Sequence, residues 1–310
     1  MITVFGSINV DLVMHVDSLP LPGETTLCPD YLVIPGGKGA NQALAARRAG
    51  ATVRMIGCVG QDDFAGRALS LMRDEAVDLS GLATSEKPTC CAAVCVDSHG
   101  ENAIVVASGA NRDAAATQIA DGMLEPGDWL VLQMEIPHEE NWNAVRMAKA
   151  AGAKVMLSVA PAAPVPEPIL EMLDVLLVNR IEGDMVASHI GFAAQDSSSL
   201  PTALSETFGL TCVMTLGGEG AAAVGPGLAL SVPTLPVSVI DTTGAGDAFA
   251  GVLAAALDEG LPIHDALRHA STAAGLACTV MGAQTGLPAK DAIEAALPDL
   301  PPMRPLEIKS

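Results

Sequence analysis

Short β-branched and aliphatic runs alternate along this chain with Ala- and Leu-rich stretches of helix formers. Residues 2–5, Ile-Thr-Val-Phe, read as a buried strand, and 12–16 continue as an extended segment. Pro20, Pro22 and Gly23 then break the chain, and 32–34 form a further extended piece before the Gly36-Gly37 turn. Helix formers fill 40–49 and stop at Gly50. Residues 53–59 read as a strand, Gly60 to Asp63 as turn and cap, and 64–75 as a helix. The runs 91–96 and 103–106 flank Ser98-His99-Gly100 and predict a hairpin.

From there the pattern becomes regular. Predicted helices 114–123, 141–151, 168–173 and 200–208 each lead into a predicted strand, at 129–133, 154–157, 175–178 and 212–215. Alternating β and α units imply a parallel sheet with helices on both faces. The extended pieces before residue 107 stand outside that alternation. No linker, low-complexity segment or internal repeat interrupts the chain, and the proline-rich stretch 298–305 is expected at the surface.

Composition narrows the class. With 310 residues, half of them hydrophobic, the chain can build one large α/β domain or two smaller ones. A net charge of −20 lacks the basic footprint of a nucleic-acid binder, so positive potential for a phosphate must be gathered locally. The seven cysteines are odd in number and contain no C-x-x-C pair, which points to reduced cytosolic thiols rather than disulfides or a metal cluster. No basic region opens the chain as in a signal peptide, and no apolar run is long enough for a membrane span. The six histidines show no ligand spacing.

The densest chemistry lies at 237–251. Val237 to Ile240 read as a strand, Asp241-Thr242-Thr243 as a polar turn, and the residues after Asp247 as a helix through Leu257, stopped by Gly260 and Pro262. Gly244 and Gly246 thus sit where a turn enters a helix. Their backbone can approach an anion closely, and the free N–H groups of a helix N-terminus carry partial positive charge. Gly244, Ala245 and Gly246 form a phosphate cradle on this reading. Asp247, in the first helical turn, is either a capping residue or a general base beside that cradle.

Other positions are open in the same way. Asn9 and Asp11 follow the first strand, where parallel sheets collect ligands, or they form a polar turn. Gly36-Gly37-Lys38-Gly39-Ala40-Asn41 resembles a P-loop but has Gly39 where a Mg²⁺-binding Ser or Thr is needed. Asn41 offers a donor and an acceptor, which suits a hydroxyl. Glu135 ends a strand. Asn179 and Glu182 share a face of a helical turn, as a cap or as a site. Thr215 leads into a glycine-rich turn with Gly217, Gly218 and Gly220.

The run Asp241 to Gly251 resembles the C-terminal signature of ribokinase-like sugar kinases, the phosphofructokinase-B-type family, and Pro35 to Ala43 resembles its upstream signature. The similarity extends over nearly the whole chain. It implies a three-layer α/β fold with a mostly parallel sheet and a small β-sheet lid made from segments near 11–36 and 90–107. It implies Asp247 as catalytic base with Gly244, Ala245 and Gly246 as anion hole. Asn9, Asp11, Gly37, Lys38, Gly39, Asn41 and Glu135 would contact the sugar. Asn179 and Glu182 would organise Mg²⁺ and phosphate, while Thr215, Gly217, Gly218, Gly220, Gly246 and Ser271 would bind ATP. Asp241 and the carbonyls of Thr243, Ala277, Val280, Gly282 and Gly286 would hold K⁺. The expected reaction is ATP-dependent phosphorylation of a sugar, ribose first, with a nucleoside, fructose or a sugar acid as alternatives. A non-catalytic sugar- or nucleotide-binding regulatory protein is the alternative of another class. A cytoplasmic homodimer paired through the lid is also implied. Two departures stand out: Ser158-Val159 where the family has Asn-Pro, and Val178 where it commonly has Pro.

Overall fold

The structure is a computed structural model, and it describes residues 1–99, 101–192 and 199–306. Ten strands form the main sheet: β1 (Ile2–Phe5), β4 (Val53–Val59), β5 (Asp78–Thr84), β8 (Trp129–Leu132), β9 (Lys154–Ser158), β10 (Val175–Asn179), β11 (Thr211–Thr215), β12 (Ala221–Gly225), β13 (Leu228–Val232) and β14 (Arg304–Pro305). Their order is β14-β13-β12-β11-β10-β9-β8-β1-β4-β5. Pairing is parallel from β5 through β11 and antiparallel from β11 to β14. Central strands such as β8 are buried at every residue, because helices cover both faces. Side chains alternate accordingly. Val175 and Leu177 of β10 enter one apolar cluster, Leu176 and Val178 the other.

The helices that position the site lie on the first of these faces. They are α1 (Lys38–Arg48), α8 (Ala245–Asp258) and α9 (Ile263–Ala277). On the other face lies α4 (His138–Ala150). The remaining helix that matters for the site, α6 (Arg180–His189), follows β10 directly.

A second sheet has the order β3-β2-β6-β7, from β2 (Asn9–His15), β3 (Leu32–Gly36), β6 (Cys90–Val96) and β7 (Asn102–Ala107). The predicted hairpin is β6–β7, antiparallel from Cys91↔Ala107 to Val96↔Asn102. Residues 6–8 carry the chain from β1 of the large sheet into β2 of the small one. All of β7 is exposed, including Ile104, Val105 and Val106.

Three local expectations fail for physical reasons. The predicted helix 114–123 is reduced to one short 3₁₀ turn, Ala116–Gln118, just after another at Gly109–Asp113. Gln118 donates instead to the carbonyls of Gly57 and Gly81, and Ala116 N–H to Glu140, so tertiary bonds replace helical ones. The predicted strand 237–240 is not a strand. Val239 and Ile240 are exposed, and the one backbone bond there runs from Ile240 N–H to Cys278 O. The predicted helix 64–75 divides at Leu69 into α2 (Asp63–Ala68) and α3 (Ser70–Asp74).

Candidate active site

Asp247 sits in the first turn of α8 and is 8% exposed. Two neighbouring side chains of α1 grip its carboxylate. Asn41 Nδ2 donates to Oδ2 at 2.9 Å, and Gln42 Nε2 donates to Oδ1 at 2.9 Å. The helix cap is Gly244, with φ 79°. A Cβ there would lie 2.8 Å from the carbonyl oxygen of Ala283, so the turn needs glycine for both dihedral and space. No side chain caps the helix. Ala245 N–H donates to Thr242 O at 3.2 Å and Ala248 N–H to Gly244 O at 2.8 Å, which leaves the N–H groups of Gly246 and Asp247 as the free donors of the first turn. Ala245 and Gly246 line a cavity of about 510 Å³, and Gly246 is exposed to it.

A second cavity, of about 460 Å³, lies against the small sheet. Asn9, Cys90, Val106, Asn111 and Glu135 are among its walls. Asn111 Nδ2 donates to Asn9 Oδ1 at 2.8 Å, while Ile8 N–H donates to Asn111 Oδ1. Glu135 Oε2 accepts from Ser7 Oγ at 2.6 Å and from Lys38 N–H at 3.1 Å. Ser7 Oγ in turn accepts from Gly39 N–H. The start of α1 therefore touches both halves of the site: Lys38 binds Glu135 through its backbone, and three residues on Asn41 reaches Asp247.

Charge is concentrated between them. The Lys38 ammonium is held protonated above its usual range, first by Asp247 against the cost of burial, then by Glu135, Glu182 and Asp11. Burial pushes the Asp11 carboxyl up to about 6, with Glu135 and Asp247 adding to the rise and Lys38 opposing it. Burial also raises Glu182, opposed by the backbone N–H of Asn179 and by Lys38. Asp11, Glu135, Glu182 and Asp247 thus all interact with the Lys38 cation.

Asn179 is the N-cap of α6. Its Oδ1 accepts from Glu182 N–H at 2.9 Å, and Glu182 accepts from Asn179 N–H at 2.7 Å and from its Nδ2 at 2.8 Å. The pair is a reciprocal capping box that also carries a buried carboxylate toward Lys38. Thr215, Gly217, Gly218 and Gly220 line the larger cavity, as does Ser271 of α9, whose hydroxyl donates to Pro233 O. Leu235, Phe249 and Ala274 make its apolar wall.

The loop after α9 folds onto Asp241. Asp241 Oδ1 accepts from Thr243 N–H and Oδ2 from Gly282 N–H, both at 2.8 Å. Burial works against that charge, but the Thr243 side chain, together with these two backbone N–H groups, holds the carboxyl below its usual value. The carbonyl oxygens of Ala277, Gly282 and Val280 converge on Gly286, at 2.9, 3.1 and 3.2 Å from where its Cβ would be. Arg48, at the end of α1, donates from Nη1 to the carbonyls of Gln284 and Leu287 at 2.7 and 2.8 Å and pins this loop. Among the described residues no cluster of His, Cys, Asp and Glu side chains is arranged to hold a metal, and no helix is long and apolar enough to cross a membrane.

The description "pfkB family carbohydrate kinase" matches residues 1–290. The chain is 34% identical to the ribokinase of Haemophilus influenzae over 293 residues, covering 93% of this chain and 95% of that one. It is 33% identical to the ribokinase of Bacillus subtilis over 298 residues, 96% and 99% of the two chains. The chain belongs to the pfkB family of carbohydrate kinases. The crystal structure of the Thermotoga maritima ribokinase superposes with a TM-score of 0.89 at 32% identity, covering 96% of this chain and 99% of that one. Arabidopsis thaliana ribokinase, solved with ribose and ATP, superposes with a TM-score of 0.84 at 29% identity, covering 96% and 98%.

Four polar residues of this kinase's site escape the sequence reading: Ser7, Gln42, Asn111 and Gln133. Gln42 had a signal, since it adjoins Asn41 in the upstream signature. Ser7, Asn111 and Gln133 become visible only when distant segments meet, across 128, 102 and 91 positions to Glu135, Asn9 and Gln42.

Proposed function

We propose that this kinase transfers the γ-phosphoryl group of ATP to the primary hydroxyl of D-ribose. The observation that carries the reading is the gripped carboxylate of Asp247, one residue from the open helix N-terminus at Gly246. Asp247 accepts the hydroxyl proton as that oxygen attacks the phosphorus in line. The free N–H groups at Gly246 and Asp247 stabilise charge on the transferring group. Ribose takes the cavity against the small sheet, whose walls include Asn9 and Glu135, and extends from there toward Asp11, Gly37, Lys38, Gly39 and Asn41 as further partners. Asn41 Oδ1 supports this role, because it is buried without a partner among the described residues. ATP takes the larger cavity, along Thr215, Gly217, Gly218, Gly220 and Ser271. The small sheet acts as a lid that excludes water.

Two cations belong to the reading. The Glu182 carboxylate keeps lone pairs beyond its Asn179 bonds and suits a hydrated Mg²⁺, which needs few protein oxygens. Bound there, Mg²⁺ would neutralise phosphate charge. The converging carbonyls of Ala277, Val280 and Gly282, with Asp241, Thr243 and Gly286 beside them, suit a large, weakly hydrated cation such as K⁺. That cation would stiffen the turn that aims the Gly246 amide.

Arg112 favours a second substrate. It lines the sugar cavity and makes no ion pair among the described residues, a feature a sugar acid would use. Initial rates with ribose, fructose, adenosine and a keto-deoxy sugar acid separate these readings. The highest kcat/KM is expected for ribose, and a clear preference for any other would overturn the ribose assignment.

The exposed edge strand β7 supports pairing of two copies through the lid, since unpaired strand edges with apolar side chains invite a partner. Light scattering on the purified chain tests it, with a monomer mass as the overturning result. All seven cysteines are free thiols, in keeping with a reducing cytoplasm.

A further inference from the structure

We propose that Gln42 and Gln133 form a buried relay that holds the Asp247 carboxylate in its proton-accepting orientation, a role that rests on Asp247 being the base. Both glutamines are fully buried. Gln133 Nε2 donates to Gln42 Oε1 at 2.8 Å, and Gln42 Nε2 donates to Asp247 Oδ1 at 2.9 Å. Asn141 Nδ2 anchors the far end by donating to Gln133 O at 2.7 Å.

The relay has one direction. An ionised carboxylate only accepts, so Gln42 must turn its NH₂ to Asp247 and its oxygen to Gln133. Gln133 must then supply its own NH₂. That leaves Gln133 Oε1 buried with no partner among the described residues. The same oxygen lies where a Cβ on residue 6 would stand, at 1.8 Å, so only glycine fits at Gly6. A stranded buried acceptor is costly, and an apolar side chain of similar volume would avoid the cost. Keeping the amide there is explained by what it does for Gln42.

Packing supports the same reading. A Cβ on Gly251 of α8 would stand 2.5 Å from Gln42 O and 2.6 Å from Ala45 Cβ. The two helices approach closely enough for residues 41 and 42 to bracket one carboxylate, one oxygen each. The terminal torsion of an aspartate is soft. Two donors on opposite oxygens fix it, which a base that meets a hydroxyl within narrow limits requires.

The test uses the full chain with ribose and ATP. Gln42→Met should lower kcat about 10- to 100-fold, the worth of a hydrogen bond to a charged group, with both KM values within about threefold. Gln133→Met, which never touches Asp247, should lower kcat about 3- to 10-fold with the same unchanged KM values. The double variant should be no slower than Gln42→Met, because Gln133 acts through Gln42. In an Asp247→Asn background, Gln42→Met should cost nothing further. Should Gln42→Met fail to fold, Gln42→Asn, which is polar but too short to reach, replaces it. Rates within about twofold of wild type for the Gln42 and Gln133 variants, while Asp247→Asn is inactive, would overturn the relay. So would an undiminished Gln42→Met effect in the Asp247→Asn background. A near-normal rate for Asp247→Asn alone would remove the base assignment, and the relay with it.

Discussion

Asn41 donates to Asp247 at 2.9 Å, and its own Oδ1 is buried with no protein partner among the described residues. One amide thus holds the Asp247 carboxylate with one end and keeps an unpaired acceptor at the other. Replacing it by an isosteric apolar residue removes both functions. Asn41→Leu is expected to raise the ribose KM and lower kcat together, reducing kcat/KM by about 10²-fold or more, while ATP KM changes little. Steady-state kinetics at saturating ATP checks this, and a loss confined to ATP KM would contradict it.

Asp247→Asn keeps the side-chain volume and removes the carboxylate proposed as the base. A kcat loss of at least about 10²-fold is expected. Nucleotide binding should change much less, since the N–H groups at the start of α8 are untouched. Isothermal titration with a non-hydrolysable ATP analogue, alongside turnover, separates the two. Near-normal turnover would reduce Asp247 to a helix-terminal residue.

Gly286→Ala is a direct probe of the carbonyl cage. Its Cβ would stand within 2.9 to 3.2 Å of three carbonyl oxygens and fill the space a cation needs. Wild type should turn over faster in K⁺ than in Na⁺ or a bulky organic cation at equal ionic strength. Gly286→Ala should lose that advantage. Equal rates for wild type in all three salts would remove the cation site.

Asp11 gives a pH-dependent signature. Its folded pKa is raised to about 6, so the folded state binds the proton more tightly than the unfolded chain. The stability associated with it is fully present below the unfolded value of about 4 and is lost as pH rises through about 6. Asp11→Asn should therefore stabilise the protein at pH 8, by on the order of 2 kcal/mol, and have little effect near pH 4. The same variant should bind ribose more weakly, trading function for stability. Thermal melts at the two pH values, with and without ribose, test both statements. Equal stabilisation at pH 4 and pH 8 would contradict the first.

The central β/α alternation was legible because parallel strands buried on both faces must be apolar throughout, as 129–132 and 175–178 are. The two glycine-rich signatures were legible because the dihedral at Gly244 and the close contacts around residues 37 and 39 leave little choice of residue. What failed was decided at a distance. Val237 to Ile240 have strand-forming side chains but no neighbouring strand to complete a ladder. Ala221 to Gly225 have little strand propensity, yet they form β12 because they lie between β11 and β13. Residues 114–123 favour a helix locally, but Gln118 finds better partners on two strands. The polar shell behind Asp247 was hidden for the same reason. A glutamine at 133 on a buried strand has no local meaning until Gln42 meets it.

Helix α1 spans 11 residues, about 16 Å, with Asn41 and Gln42 on Asp247 near one end and Arg48 on the carbonyls of Gln284 and Leu287 at the other. A single helix therefore touches both Asp247 and the loop proposed to hold a cation. On the proposed reading, a shift of that loop when a cation binds would pass along this helix to the Asn41 and Gln42 bonds on Asp247. Thermodynamic reciprocity then applies: whatever factor the cation contributes to sugar affinity, the sugar returns to the cation. If both sites are filled as proposed, the salt in which the enzyme is assayed and the concentration of its substrate become coupled through this one helix.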